Sequence, residues 1–347
     1  MRMYCTRLII LAFFAAAVLG ALKAQDPIFS QFYAAPLQIN PAFTGITFAP
    51  RISLNYRNQY PNWPNAYITY AAAYEQSIEQ LNSGFGLMVM ADAEGDGVYK
   101  TNYASAFYGY RVRFSSNLYA RFGLEAGLLQ TTVDWDRLVF GDQLDPLTGS
   151  VGSGGGVNPT EEERPSSLRS TVFDVSAGLL IYSGPFYGGV SLKHLNTPDA
   201  SILQENNNLR AGRPLRVTVH GGAEFPIGPR NKAGAPAFIS PNLMLASQGD
   251  FRQLNVGAYA GFGRFFGGLW FRHAFGNPDA AIFALGFREG VLRIGYSYDL
   301  TVSQLAAVPG GGGGAHEVSL TINLSDSKAI QRRRAAGRWN DCFNMFR

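Results

Sequence analysis

The sequence predicts an all-β fold: a transmembrane antiparallel β-barrel of outer-membrane type, with about 14 strands. Three observations carry that prediction. Apolar and polar residues alternate with period two in many short segments, the connections between them tend to alternate in length, and the chain begins with a secretory leader.

Met1 to Ala24 reads as a signal peptide, with Arg2 and Arg7 ahead of an apolar run from Leu8 to Leu19. Cleavage is expected before Gln25. Cys5 leaves with the leader, so Cys342 alone remains and no internal disulfide is expected. The leader also holds Arg2, Arg7 and Lys23 of the 29 basic residues, which leaves 26 against 25 acidic ones. That balance gives no ground for nucleic-acid binding. No run after the leader reaches the ~18 apolar residues of a membrane-spanning helix.

Residues 25–50 form a segment of a different kind. Pro27, Pro36 and Pro41 interrupt any backbone ladder, while Phe29, Phe32, Tyr33, Leu37, Ile39 and Phe43 carry a large apolar payload. Alone the segment cannot make a core, so it must bury its aromatics against the rest of the chain.

The strands follow over 51–324. Val318, Leu320, Ile322 and Leu324 oppose Glu317, Ser319, Thr321 and Asn323 in the last, and Leu292, Ile294, Tyr296, Tyr298 and Leu300 oppose Arg293, Gly295, Ser297 and Asp299 before it. The same pattern runs through 118–128, 173–181 and 215–225. Further strands are expected at 51–58, 67–78, 84–91, 101–113, 186–194, 238–247, 251–261, 264–274 and 280–288. Connections are short after the fourth, sixth, tenth and twelfth strands. They are long after the fifth (133–170), seventh (195–212) and thirteenth (301–314). Short periplasmic turns and long extracellular loops are the outer-membrane rule, and an even strand count predicts both termini on the periplasmic side.

In a membrane barrel the apolar face meets lipid, and Arg121, Glu125, Asp174, Lys193, Arg216, His220, Glu224, Arg293 and Asp299 point inward as a lumen polar network. A soluble sandwich would reverse the two faces, and periodicity does not separate the cases. Tyr56, Tyr60, Trp63, Tyr67, Tyr70, Tyr108, Tyr110, Trp270, Phe271, Tyr296 and Tyr298 are expected to form interfacial girdles. Asp92, Glu94 and Asp96 alternate as calcium ligands do, but the rest of a calcium loop is missing, which leaves a plain acidic hairpin. No two of the four histidines stand at metal-ligand spacing, and no nucleophile motif is present, so neither a metal, a cofactor nor a catalytic residue is expected. The last stretch, 325–347, carries Lys328, Arg332, Arg333, Arg334, Arg338 and Arg347 against Asp326 and Asp341. It is expected to be a basic periplasmic tail, either a docking arm for an acidic partner or anionic headgroups, or solvated chain.

The run from Asp26 through Pro27, Phe29, Ser30, Gln31, Phe32 and Tyr33, continued by Leu37, Asn40, Pro41 and Gly45, resembles the opening signature of the PorP/SprF family. Segments 139–146 and 316–320 also resemble recurrent stretches of that family. The resemblance implies a non-enzymatic outer-membrane protein of type IX secretion and gliding motility in Bacteroidota. It further implies partners in the periplasmic ring and motor, a peptidoglycan-binding lipoprotein, and exported surface proteins with type B C-terminal sorting domains. Under that reading the N-terminal segment is a family-specific binding element at the periplasmic mouth or in the lumen. The alternatives are a diffusion channel or FadL-like transporter with an N-terminal plug, and an outer-membrane enzyme.

Overall fold

The computed structural model describes residues 26–63, 67–145, 159–202, 212–228, 237–275, 277–308 and 311–327. The leader, most of the glycine-rich stretch near 150 and the basic tail with Arg332, Arg333, Arg334 and Arg338 lie outside them.

Fourteen antiparallel strands form one closed ring. They are β1 (Arg51–Gln59), β2 (Tyr67–Ile78), β3 (Ser83–Glu94), β4 (Tyr99–Arg113), β5 (Leu118–Val133), β6 (Arg169–Ser183) and β7 (Phe186–Lys193). β8 comes in two pieces, Arg216–Ala223 and Phe225–Ile227, which both pair with β9 (Ala237–Gln248). The Glu224 N–H at the interruption donates to the Pro185 carbonyl at 2.9 Å instead of joining the β9 ladder. β10 (Phe251–Phe262), β11 (Phe265–Ala274), β12 (Asn277–Glu289), β13 (Leu292–Thr301) and β14 (Ala315–Asn323) complete the ring. Closure runs from Arg51 opposite Asn323 to Gln59 opposite Ala315.

Alternation sorts the side chains as lipid requires. Leu54, Leu87, Val89, Leu124, Leu128, Leu269 and Leu285 stand exposed on the outside. Arg51, Arg57, Glu75, Arg121, Glu125, Arg272, Asp299 and Glu317 are buried inside. Phe114, Phe186, Phe225, Phe262 and Phe265 are exposed near the end of the barrel where the even-numbered connections lie. Trp270 departs from the girdle expectation. It points inward, 5% exposed, with its ring 4.6 Å from Phe32.

The lumen is filled by residues 26–50. After an irregular descent they form a single helical turn, α1 (Pro36–Ile39), and a short 3-10 turn over Pro41–Phe43. Seven large apolar side chains of this segment, Phe29, Phe32, Tyr33, Leu37, Ile39, Phe43 and Ile46, are 7% exposed or less. At about 1.5–3 kcal/mol for each buried side chain, the gross contribution is on the order of 10–20 kcal/mol. The segment is therefore the hydrophobic core of the barrel.

Its route corrects one expectation. The strand ends Arg51 and Asn323 share one end of the ring, as an even count requires. Asp26, however, lies at the opposite end, where its N–H meets Gln248 and its carboxylate meets His194 and Arg213. The chain thus runs the length of the lumen before β1 begins. Strand parity speaks for the barrel and not for the aperiodic segment ahead of it.

Two glycines make room for the segment. A Cβ on Gly123 would lie 2.1 Å from backbone atoms of Pro41 and Ala42, and one on Gly178 would lie 1.9 Å from the Asn40 amide oxygen. Gly123→Val is expected to destabilise the folded barrel by at least the ~1–3 kcal/mol of an overpacked core. The measurement is the thermal midpoint of its heat-modifiable gel mobility, with the outward-facing Ala126→Val unchanged. Equal midpoints would mean that the segment does not sit against β5.

Candidate functional site: a plugged lumen

Four polar clusters fasten the segment to the wall, each built from a barrel side chain that alternation turns inward. The first lies where Asp26 meets the connections after β7 and β9. Asp26 Oδ2 is 2.6 Å from His194 Nε2, and Asp174 Oδ2 is 2.9 Å from His194 Nδ1. Arg213 Nη1 and the Tyr103 hydroxyl donate to Asp26 Oδ1 at 2.7 and 3.1 Å, and Arg216 stands 3.3 Å from Oδ2. Burial alone raises the Asp26 carboxyl, but His194, Arg216 and Arg213 overcome it and hold the group well below its usual range. Burial likewise lowers His194, yet Asp26 and Asp174 outweigh it, so the imidazole stays charged above its usual value. Each ring nitrogen then donates to a carboxylate.

The second cluster holds the backbone itself. Glu317, 0% exposed, accepts the N–H groups of Ser30 and Gln31 at 2.7 and 2.9 Å, one on each carboxylate oxygen. Asp299 accepts from the Ser30 hydroxyl at 2.6 Å and from Arg57 and Arg272 at 3.0 and 2.8 Å. Arg272 also pairs with Asp279.

Deeper in the lumen, the Asn40 amide donates to the Leu179 and Val190 carbonyls at 3.1 and 3.2 Å and faces His220 Nε2 at 3.0 Å. Its oxygen accepts the Ala42 N–H, which caps the 3-10 turn. Ser191 donates to the Ile39 carbonyl, Arg216 to that of Gln38, and Phe43 stacks on His220 at 5.2 Å. Where the segment leaves the lumen, Arg121 donates to the Ala42 and Thr44 carbonyls. The Gly45 N–H meets Glu75, itself 2.6 Å from Arg51.

All nine inward residues named from the sequence are buried. Arg121, Asp174, Arg216, His220 and Asp299 belong to the clusters around the segment. Glu125 pairs with Lys193 at 2.9 Å, Arg293 lies over the Phe266 ring at 5.4 Å, and Glu224 is buried at the break in β8. Nine of the ten N-terminal positions are buried as well, and Pro27 is half-buried. Asp26, Ser30, Gln31 and Asn40 bond to the wall as above, and Phe29, Phe32, Tyr33 and Leu37 fill the space between. Pro27 supplies a carbonyl to Gln38, and Pro41 opens the 3-10 turn. Sequence reasoning missed Arg51, Arg57, Glu75, Arg213, Arg272 and Glu317 as site residues. Five of these lie on strands and are in phase with inward polar neighbours, which is a readable signal. Arg213 lies in a connection and carries none. Asp92 is buried on Thr69 while Asp96 pairs with Arg137 at the surface, so the acidic run does not converge.

The first cluster has a pH signature. A raised His194 contributes fully below the usual imidazole value of 6.5 and loses its contribution as pH rises through its folded-state value. A lowered Asp26 contributes above the usual 3.8 and loses its contribution as pH falls through its own. Hydrogen exchange over 26–31, corrected for intrinsic chemistry, is therefore expected to speed up several-fold from pH 6 to pH 9. His194→Gln should flatten that rise, and a rise that survives the substitution would mean that His194 does not hold the segment.

A family model described as "Type IX secretion system membrane protein PorP/SprF" matches residues 21–322. Among solved structures, the Pseudomonas putida toluene transporter TodX is 10% identical and aligns over 86% of this chain and 93% of its own, with a TM-score of 0.47. The E1M, A104W mutant of Rh. blastica porin is 9% identical over 79% of this chain and 98% of its own, with a TM-score of 0.32. No curated protein matches the chain.

Proposed function

The chain belongs to the PorP/SprF family of type IX secretion system membrane proteins, and we propose that it serves there as a closed, non-enzymatic outer-membrane scaffold. In this reading the rims and loops of the barrel do the work, supporting export and surface anchoring of proteins with type B sorting domains. The end bearing Arg51 and Asn323 faces the periplasm, the ring and motor proteins and the peptidoglycan-binding lipoprotein. The basic tail is a docking arm at that end, and the long connections face outward to the exported chain.

One observation supports this reading above the channel alternative. Residues 26–50 occupy the lumen from one end to the other, with buried aromatics between them and charged wall groups such as Glu317 and His194 bonded to them. A protein that moved solutes through this ring would have to displace its own hydrophobic core. A groove of about 740 Å³ lies instead on the outside wall, between Leu54, Tyr70, Val89 and Leu128.

In planar bilayers the intact protein is expected to show no stepwise conductance, whereas an assembled barrel lacking residues 26–45 should conduct. Steady channels from the intact protein would overturn the scaffold reading in favour of transport. Co-purification from native membranes adds the second arm: removing 134–168 should deplete exported partners and leave periplasmic ones in place.

A further inference from the structure

The ring is closed through its membrane-spanning part, but its rim has an eight-residue step at β6. β5 pairs with β6 up to Thr132 opposite Arg169. β7 pairs with β6 only from Ser183 to Ala177 and then stops at Lys193. The eight residues 169–176 of β6 therefore run past the end of their neighbour. Two devices cover the lower part of this edge. The Leu195 N–H donates to the Val175 carbonyl at 2.9 Å. The Asn196 amide accepts the Val175 N–H at 3.1 Å and donates to the Phe173 carbonyl at 2.7 Å, as the backbone of a neighbouring strand would.

Beyond Asn196 the cover ends. Residues 171, 173 and 175 turn their backbone groups away from β5. Among the described residues nothing meets the N–H of Phe173 or the N–H and C=O of Thr171. These groups are held in extended conformation by β5 on the other side, so they are preorganised to receive a strand.

Their height decides their solvent. Outward positions on β4, β5 and β6 are apolar up to Ala104, Leu128 and Phe173. They turn polar beyond, at Asn102 and Lys100, Gln130 and Thr132, and Thr171 and Arg169. Unpaired backbone is not tolerated in hydrocarbon. The open edge therefore stands in the aqueous rim just above the apolar band, with Phe173 56% exposed at the boundary.

We propose that this edge of β6 is a docking site where an extended polypeptide segment of a partner adds as a strand in the line that β7 vacates. The three free backbone groups supply register, and an apolar side chain of the incoming segment covers Phe173. A lipid or sugar ligand does not offer alternating N–H and C=O groups at strand spacing, so the chemistry selects a polypeptide. The site lies at the rim with the long connections, and on the scaffold reading above, on which this inference rests, the partner is the exported chain.

The test uses the full-length protein in cells that make the secretion machine, with a photoreactive benzoylphenylalanine replacing Phe173. The expected result is an adduct with a second polypeptide, mapped by mass spectrometry to an extended segment. Thr171→Pro removes an N–H that has no partner among the described residues and suits an edge strand. It should cut the adduct at least tenfold, while Thr171→Val retains it. No adduct, an adduct only with residues 203–211 of the same chain, or a yield indifferent to Thr171→Pro would each overturn the docking edge. A second reading guards against misfolding of the proline variant: amide exchange at Thr171 and Phe173 should be fast in the isolated barrel and at least tenfold slower in the adduct. Equal rates would overturn the proposal independently. Cells without the secretion machine separate the two claims, because an adduct that persists there keeps the edge and overturns the exported partner.

Discussion

The structure depends on the carboxylate of Glu317 and the two backbone N–H groups that meet it. A charge with no solvent exposure requires partners on both oxygens, and Ser30 and Gln31 supply one each while Arg57 approaches at 3.3 Å. Removing one partner of such a buried charge costs about 3–5 kcal/mol. The same condition repeats at Asp26 and Glu75, and the neutral Asn40 amide is satisfied by wall and segment in the same way. The wall's polar groups thus need the segment as much as the segment's aromatics need the wall. Plug and ring form one core, with apolar contacts supplying most of the stabilisation and buried polar contacts fixing the path.

That mutual requirement explains the composition of residues 25–50. A helix or strand satisfies its own backbone and presents only side chains. An aperiodic run with three prolines leaves N–H and C=O groups to be met elsewhere. Here the wall meets them, through Glu317, Glu75, Arg121, Arg216 and Ser191. Several inward charges of the barrel, Glu317, Glu75, Arg121 and Arg216, are thus ligands for main chain.

The sequence carried the strand pattern well because period two is local, and neighbouring strands are joined by short connections that fix their order. It carried the inward face equally well, since Arg57 shares phase with Asn55, Ser53 and Arg51. Pairings across the lumen were not legible. Ser30 and Glu317 are 287 residues apart, and nothing in either neighbourhood names the other. Trp270 shows where propensity misleads. Both faces of β11 carry aromatics, so an amphipathic ring fits an interface or a core equally well. The phase was nevertheless available, because Trp270 lies two positions from Arg272, and a buried arginine fixes which side is the lumen. The threading direction had no local signal at all.

Period two leaves open whether the apolar face looks inward or outward, and burial settles it. In water, a ring exposing Leu87, Val89, Leu128, Leu269 and Leu285 while burying Arg57, Arg272, Asp299 and Glu317 would be inverted against the hydrophobic effect. In lipid the same arrangement satisfies both solvents, since the closed ladder leaves no backbone group facing hydrocarbon. Closure then constrains function. On the scaffold role proposed above, a ring sealed to lipid on the outside and filled by its own chain on the inside acts on other molecules through its rims, its loops and its outer wall. Sequence variation that changes what this protein recognises must therefore fall in those places, and the lumen must vary only where plug and wall change together.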